Sequence, residues 1–202
     1  NTIPKDAKYG GITPRRLISH SFHHQLPTSR YGKEHPEYFT LRDGKRLWDV
    51  KNDSRHTEPC KSNPEVIRII TESVLEELAA NPERSNISVS QNDNHLYCQC
   101  EKCAALDADA GSHMGSHLAL VNAVADAVAE KYPGVDVGTL AYVYTRKPPV
   151  GIRPRPNVQI QLCSIECSQV YPIDDPSCAR NKAFCEDLIG WGEICDDICI
   201  WT

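Results

Sequence analysis

The chain has 202 residues, with 22 Lys and Arg against 27 Asp and Glu and a formal net charge of -5. A composition 40% apolar and 24% charged is that of a folded globular protein and excludes wholesale disorder. No basic block exceeds two residues, which argues against nucleic acid as the main partner, and no apolar run approaches the roughly 18–20 residues needed to span a bilayer.

In chain order, Arg16–His20 reads as strand-like and is followed by a loop holding Phe22, His23 and His24. Tyr38–Trp48 reads as a hairpin turning at Asp43-Gly44. The clearest helix starts at Asn63-Pro64, a cap and a first-position proline. Its apolar face is Val66, Ile70, Val74 and Leu78, and Asn81-Pro82 ends it. Ile87–Ser90 is a short strand that runs into Gln91-Asn92-Asp93-Asn94. A second helix spans Ser116 to Lys131 with Leu118, Val121, Ala125 and Val128 inward, and Pro133-Gly134 stops it. Val137–Thr145 reads as a strand with Leu140, Tyr142 and Tyr144 on one face. Arg146–Asn157, with four prolines, excludes a regular helix. Val158–Ser164 is a strand, Ala179–Trp191 a helix and Asp197–Thr202 the last strand.

Strands alternating with helices predict a parallel α/β architecture. A complete eight-fold barrel needs about 250 residues, and five or six core strands are expected here. The first expectation is therefore a partial (β/α)8 barrel of the TIM type, truncated at one or both ends; an open doubly wound sheet is the second. No Gly-rich phosphate fingerprint follows any strand. The chain begins at Asn1, has Met114 as its only methionine and stops at Thr202 directly behind a strand. We read residues 1–202 as a fragment of one barrel domain in a longer protein.

In either architecture, reactive groups collect beyond the carboxyl ends of strands. Asp93 and Glu166 stand there. With one strand between theirs, two spacings of about 4.8 Å put the acids within the separations used by glycosidases. The alternatives are that Asp93 caps a turn and Glu166 pairs with an arginine. The pairing also requires the proline-rich link before Val158 to be a parallel crossover; an antiparallel one would place Glu166 at the wrong end of the sheet.

Cys98, Cys100 and Cys103 form a C-x-C-x-x-C cluster that could supply three thiolates to a structural zinc, with Cys60 or His95 as fourth ligand. A disulfide or free thiols are the alternatives, and Cys163, Cys167, Cys178 and Cys185 could form further bridges. His23 and His24 could touch a ligand. His20, His35 and His56 read as ordinary loop residues, and His113 and His117 as surface histidines at a helix start. Tyr142, Tyr144, Trp191 and Trp201 could stack on a sugar or serve the core.

Several segments carry a family resemblance. They are His35-Pro36-Glu37-Tyr38-Phe39, Cys60 with Ser62-Asn63-Pro64-Glu65-Val66, Ser88 through Asn94, and Tyr97 through Cys103. Gly138 through Tyr142, Tyr144 through Pro149, Arg153 through Pro156 and Cys163 through Cys167 follow in order. From about His20 to Trp201 the chain resembles the bacterial domain-of-unknown-function 4838 family, itself related to glycoside hydrolase family 163. The resemblance implies a (β/α)8 barrel with flanking domains and a periplasmic or secreted location. It also implies endo-β-N-acetylglucosaminidase cleavage of glycans with no catalytic cofactor. Enzymes of that kind often use the substrate's own acetamido oxygen as nucleophile, leaving the protein a general acid and an orienting group. We assign Glu166 as general acid/base, enclosed by apolar neighbours, and Asp93 as the group that orients the acetamide, held by Asn92 and Asn94; the two roles are interchangeable. Gln91, Tyr142, Tyr144 and His23 complete the expected substrate contacts. A catalytically silent glycan-binding barrel and a metal- or disulfide-stabilised interaction module are the competing readings.

Overall fold

The computed structural model describes residues 18–50 and 53–201. Two short helices, α1 (Phe22–Gln25) and α2 (Thr28–Tyr31), precede a hairpin of β1 (Leu41–Arg42) and β2 (Lys45–Arg46). Helix α3 (Pro64–Ala80), strand β3 (Asn86–Ser88), helices α4 (Glu101–Ala110) and α5 (Met114–Lys131) and strand β4 (Asp136–Ala141) follow. Strand β5 (Val158–Cys163), helix α6 (Ala179–Gly192) and strand β6 (Ile198–Trp201) complete the order. The last four strands form one parallel sheet in the order β3-β4-β5-β6, so the chain is a mixed α/β protein.

Local chemistry accounts for the elements. The hairpin turns with positive φ at both Asp43 and Gly44, 48° and 78°, as its two-residue loop requires. Asn63 caps α3 by accepting the Glu65 N–H at 2.9 Å, and Val66, Ile70, Val74 and Leu78 are buried as the spacing predicts. In α5, Leu118, Val121, Ala125 and Val128 are buried, and Leu120 and Val124 join them. This helix is packed on more than one side, against α3, α4 and the sheet. Val137, Ala141, Val158, Ile160 and Leu162 share its core, whereas Leu140 and Cys163 cluster with Ile18 on the opposite sheet face. A Cβ on Gly138 would come within 2.3 Å of Ile18, so only glycine admits that crossing.

The proline-rich link is a parallel crossover without a helix, because α5 itself scaffolds it. The Asn122 side chain donates to Arg153 O at 2.9 Å and accepts from Arg155 N at 3.0 Å, and Asn157 donates to Ala125 O.

Several sequence expectations are corrected. Arg16 lies outside the described residues, and Ile18–His20 run beside β3 without forming a strand. The expected loop at Phe22–His24 is helix α1. Helix α4 has no counterpart among the expected elements, because its buried face carries Cys103, Asp107 and Ala110 rather than large apolar residues. Strand β3 ends at Ser88 and β4 at Ala141, two and four residues early. Beyond β4, Val143 takes φ +53, rare for a β-branched residue, and opens a short turn, so Tyr142 and Tyr144 do not share a face. Among the described residues four strands, not five or six, make the parallel sheet. No helix there is long and apolar enough to cross a membrane.

Candidate functional site

The best-assembled constellation is the cysteine centre. Cys60 precedes α3, Cys98 and Cys100 lie between β3 and α4, and Cys103 sits in the first turn of α4. Their four sulfurs lie within 4.8 Å of one another. Cys60 Sγ is 3.6 Å from Cys100 Sγ and 3.7 Å from Cys98 Sγ. Four thiolates around an ion with bonds of about 2.3 Å form a tetrahedron with edges of about 3.8 Å, so the spacing fits a metal such as zinc. All ten cysteines are free thiols, and the bridges that the sequence left open do not form. Hydrogen bonds from Cys103, then Cys98, hold Cys60 far below the ordinary thiol range, while the Cys60 contact pushes Cys103 up. An ion binding there would displace the thiol protons. Around the sulfurs, Leu41 N–H lies 3.4 Å from Cys98 Sγ, Arg46 Nη1 3.9 Å from the same atom, and Ser62 Oγ 3.1 Å from Cys103 Sγ. These are the outer contacts that orient metal ligands. Cys60, not His95, completes the set.

The second constellation lies beyond the carboxyl ends of the parallel strands. Asp93 is exposed and accepts a hydrogen bond from Tyr142 Oη at 3.0 Å. Burial, then this bond to Asp93, pushes the Tyr142 hydroxyl up to about 12, so it remains a donor. A cavity of about 220 Å³ is lined by Tyr142, Cys163, Ser164, Ile165, Gln169 and Trp201. Glu166 follows β5 at the same end of the sheet, because β4 and β5 are parallel. Its side chain is 45% exposed and ion-paired with Arg146, which corrects the expected apolar enclosure. Arg146 is anchored elsewhere: its Nε donates to the 14%-exposed Asp187 at 2.7 Å, and its carbonyl accepts from Trp191 Nε1.

The flanking amides face inward. Gln91 donates to Tyr142 O at 3.1 Å and accepts from Thr145 Oγ1, which fixes the turn after β4. Asn92 accepts from His23 N at 2.9 Å and donates to Thr57 O, and Asn94 donates to Arg55 O. His23 therefore reaches Asn92, not open space. His20, read as an ordinary loop residue, lies beside Tyr142 with ring centroids 5.8 Å apart and touches Gln91 O. Tyr144 points away from this rim, where Lys61 Nζ donates to its hydroxyl at 3.1 Å.

Behind Tyr144 lies a buried charge cluster that the sequence did not disclose. Glu58 and Lys61 are both buried, 3.9 Å apart. Burial raises the Glu58 carboxyl to about 7, opposed by Lys61 and by donation from Asn92 and Asn94. The only signal in the sequence is a pair of opposite charges flanking the isolated Cys60. His117 is fully buried, correcting its reading as a surface residue. Its Nε2 lies 2.8 Å from Thr139 Oγ1, and burial, then Lys61, lowers its pKa well below the ordinary value. His113 pairs with Asp107 at 2.8 Å and stacks on Tyr97, in the wall of a cavity of about 550 Å³ that also includes Tyr144 and Lys147. Trp191 is core, as the alternative reading allowed.

Comparison with curated proteins and with solved structures yields no match. A family model does match, over residues 1–202, and by that match the chain belongs to the family described as domain of unknown function (DUF4838).

Proposed function

We propose that this chain is part of a (β/α)8-type barrel that cleaves glycans containing N-acetylglucosamine, acting as a retaining endo-β-N-acetylglucosaminidase with substrate assistance. The observation that carries the reading is the 3.0 Å bond between Tyr142 Oη and Asp93, which ties together the ends of two neighbouring parallel strands, with Glu166 beyond the next. Strands in consecutive order suit a barrel, as does the exposure of Ile200 and Trp201 on β6.

In this mechanism the acetamido oxygen bonds to the anomeric carbon as the glycosidic C–O bond breaks, and a carboxylic acid gives its proton to the leaving oxygen. Water then opens the intermediate and returns a proton to that carboxylate. Proton transfer is assigned to Glu166; to act as an acid it has to be displaced from Arg146 by substrate, and Asp187 then remains as the partner of that arginine. Asp93 and Tyr142 orient the acetamide. A zinc ion in the four-cysteine centre is structural in this proposal and takes no part in the chemistry. A secreted or periplasmic location and flanking domains belong to the same reading.

The test is glycan release from a chitobiose-core substrate by the longer protein that completes the barrel. Glu166→Gln and Asp93→Asn are each expected to lower kcat by about 100-fold or more. Undiminished turnover in both variants rules out the assignment. A silent glycan-binding barrel is the second reading, favoured by the Glu166–Arg146 pair; glycan binding with no release by the unaltered protein would establish it instead.

A further inference from the structure

The loop that carries Asp93 is held at two places by one short stretch of chain. Glu58 Oε1 accepts the Asn92 backbone N–H at 2.8 Å and the Asn94 side-chain amide at 3.1 Å, so it grips the residues on both sides of Asp93. Two positions further on, Cys60 meets Cys98, the point where the same loop reaches the cysteine centre. The stretch is itself fixed: Glu58 O accepts from Thr40 N at 2.8 Å and Cys60 N donates to Tyr38 O at 2.8 Å. Lys61 lies 3.9 Å from the other oxygen, Oε2, so both close donors to Oε1 come from this loop, and a buried carboxylate spends its strongest hydrogen bonds on the loop's geometry.

We infer that Glu58 and the four-cysteine centre form a single clamp on residues 91–98, so that metal occupancy sets the position of Asp93 and Glu58 is a positioning residue. The inference rests on the reading of the rim as the site, and it assigns the metal a control function beyond local stapling. An ion drawing Cys60 to Cys98 and Cys100 fixes the far end of the loop. Without it, the first half of the loop keeps the Glu58 contacts, the bonds of Asn92 and Asn94 to residues 54–57 and those of Gln91, Asn92 and Asp93 to Tyr142, Thr145 and His23, but the tie between Cys98 and Cys60 is lost.

The experiment measures amide hydrogen exchange across the whole chain in three samples: zinc-loaded, chelator-treated, and zinc-loaded Glu58→Gln. Exchange in residues 91–98 is expected to rise about tenfold in the latter two, the loss of roughly one hydrogen bond, with α5 unchanged. Glu58→Gln should still bind one cobalt(II) with the thiolate charge-transfer absorption of the unaltered chain. In turnover by the completed barrel it should lower kcat about 100-fold with KM within about twofold, as misplacement rather than lost binding requires. Unchanged loop exchange in both altered samples overturns the clamp. So does chelation that loosens α5 as much as the loop, since the metal is then a general staple. If Glu58→Gln does not fold, Asn94→Ala, which removes one donor from the loop side, is read in its place by the same criterion. Loosening as expected, combined with full turnover by Asp93→Asn, sinks the rim as the site and leaves the clamp standing.

Discussion

The cysteine centre and the carboxylate rim differ in how completely the chain builds them. At the centre, four donors of one kind converge from two stretches of sequence into a tetrahedral spacing, largely buried and surrounded by further donors. At the rim the two acids are exposed, and among the described residues each has one partner, Tyr142 or Arg146. A site for an ion can close on itself; a site for a polymer has to stay open, with its groups held from behind. Those groups are held from the layer beneath the rim, where Gln91, Asn92, Thr145 and Glu58 direct their hydrogen bonds to one another and to backbone.

The largest effect should come from opening the closed site. Cys60→Ser is expected to reduce bound zinc from one per chain to none by elemental analysis. It should also lower stability in denaturant more than substitution of Tyr142, His117 or Val143, since structural zinc sites contribute folding free energy directly. Retention of one zinc per chain by that variant would refute the four-thiolate assignment. Next is Tyr142→Phe, which leaves Asp93 without its donor: kcat should fall about tenfold with little change in thermal stability, as for the loss of one exposed hydrogen bond. A loss of stability without a loss of rate would make Tyr142 a structural residue only.

A third test concerns the buried layer. His117 has its pKa below the ordinary 6.5, through burial first and then Lys61. Below pH 6.5 the unfolded chain takes up a proton that the folded chain refuses, so this contribution to stability is complete above 6.5 and lost on acidification. The Glu58 carboxyl, raised to about 7 by burial, works in the opposite sense over the same range, so the test is a difference. From pH 6.5 toward 5 the denaturation midpoint of His117→Asn should shift toward greater stability relative to the unaltered chain, and an identical slope means that the pH dependence arises elsewhere. The smallest effect is expected at Val143, whose φ of +53 disfavours a β-branched side chain. Val143→Gly should stabilise the chain by at most about 1 kcal/mol, as relief of strain is offset by glycine's chain entropy. A clear loss would show that the valine side chain is packed, not merely tolerated.

Much of this was legible from residue order, wherever the signal is local. The α3 stripe with its Asn63 cap, the Asp43-Gly44 turn, the buried face of α5 and the parallel alternation all follow from periodicities and capping chemistry confined to a few residues. The C-x-C-x-x-C spacing likewise marked three ligands. Other features depend on contacts between distant segments. Helix α4 escaped because its inward face carries a cysteine that meets the distant Ser62 and an aspartate bonded to His113 and Ser116 at the start of the next helix, and Tyr144 turned away from Tyr142 because one backbone angle broke the alternation. The burial of Glu58, Lys61 and His117 was invisible for the same reason: a charged or polar residue reads as exposed until tertiary structure supplies its partners. Sequence thus determined the elements and the reactive residue types, through short-range torsional and capping preferences. Tertiary packing alone decided that Cys60 completes the four-cysteine cluster, that Glu58 grips the loop around Asp93, and that Arg146 faces Glu166, since each needs atoms brought together from 20 to 40 positions apart.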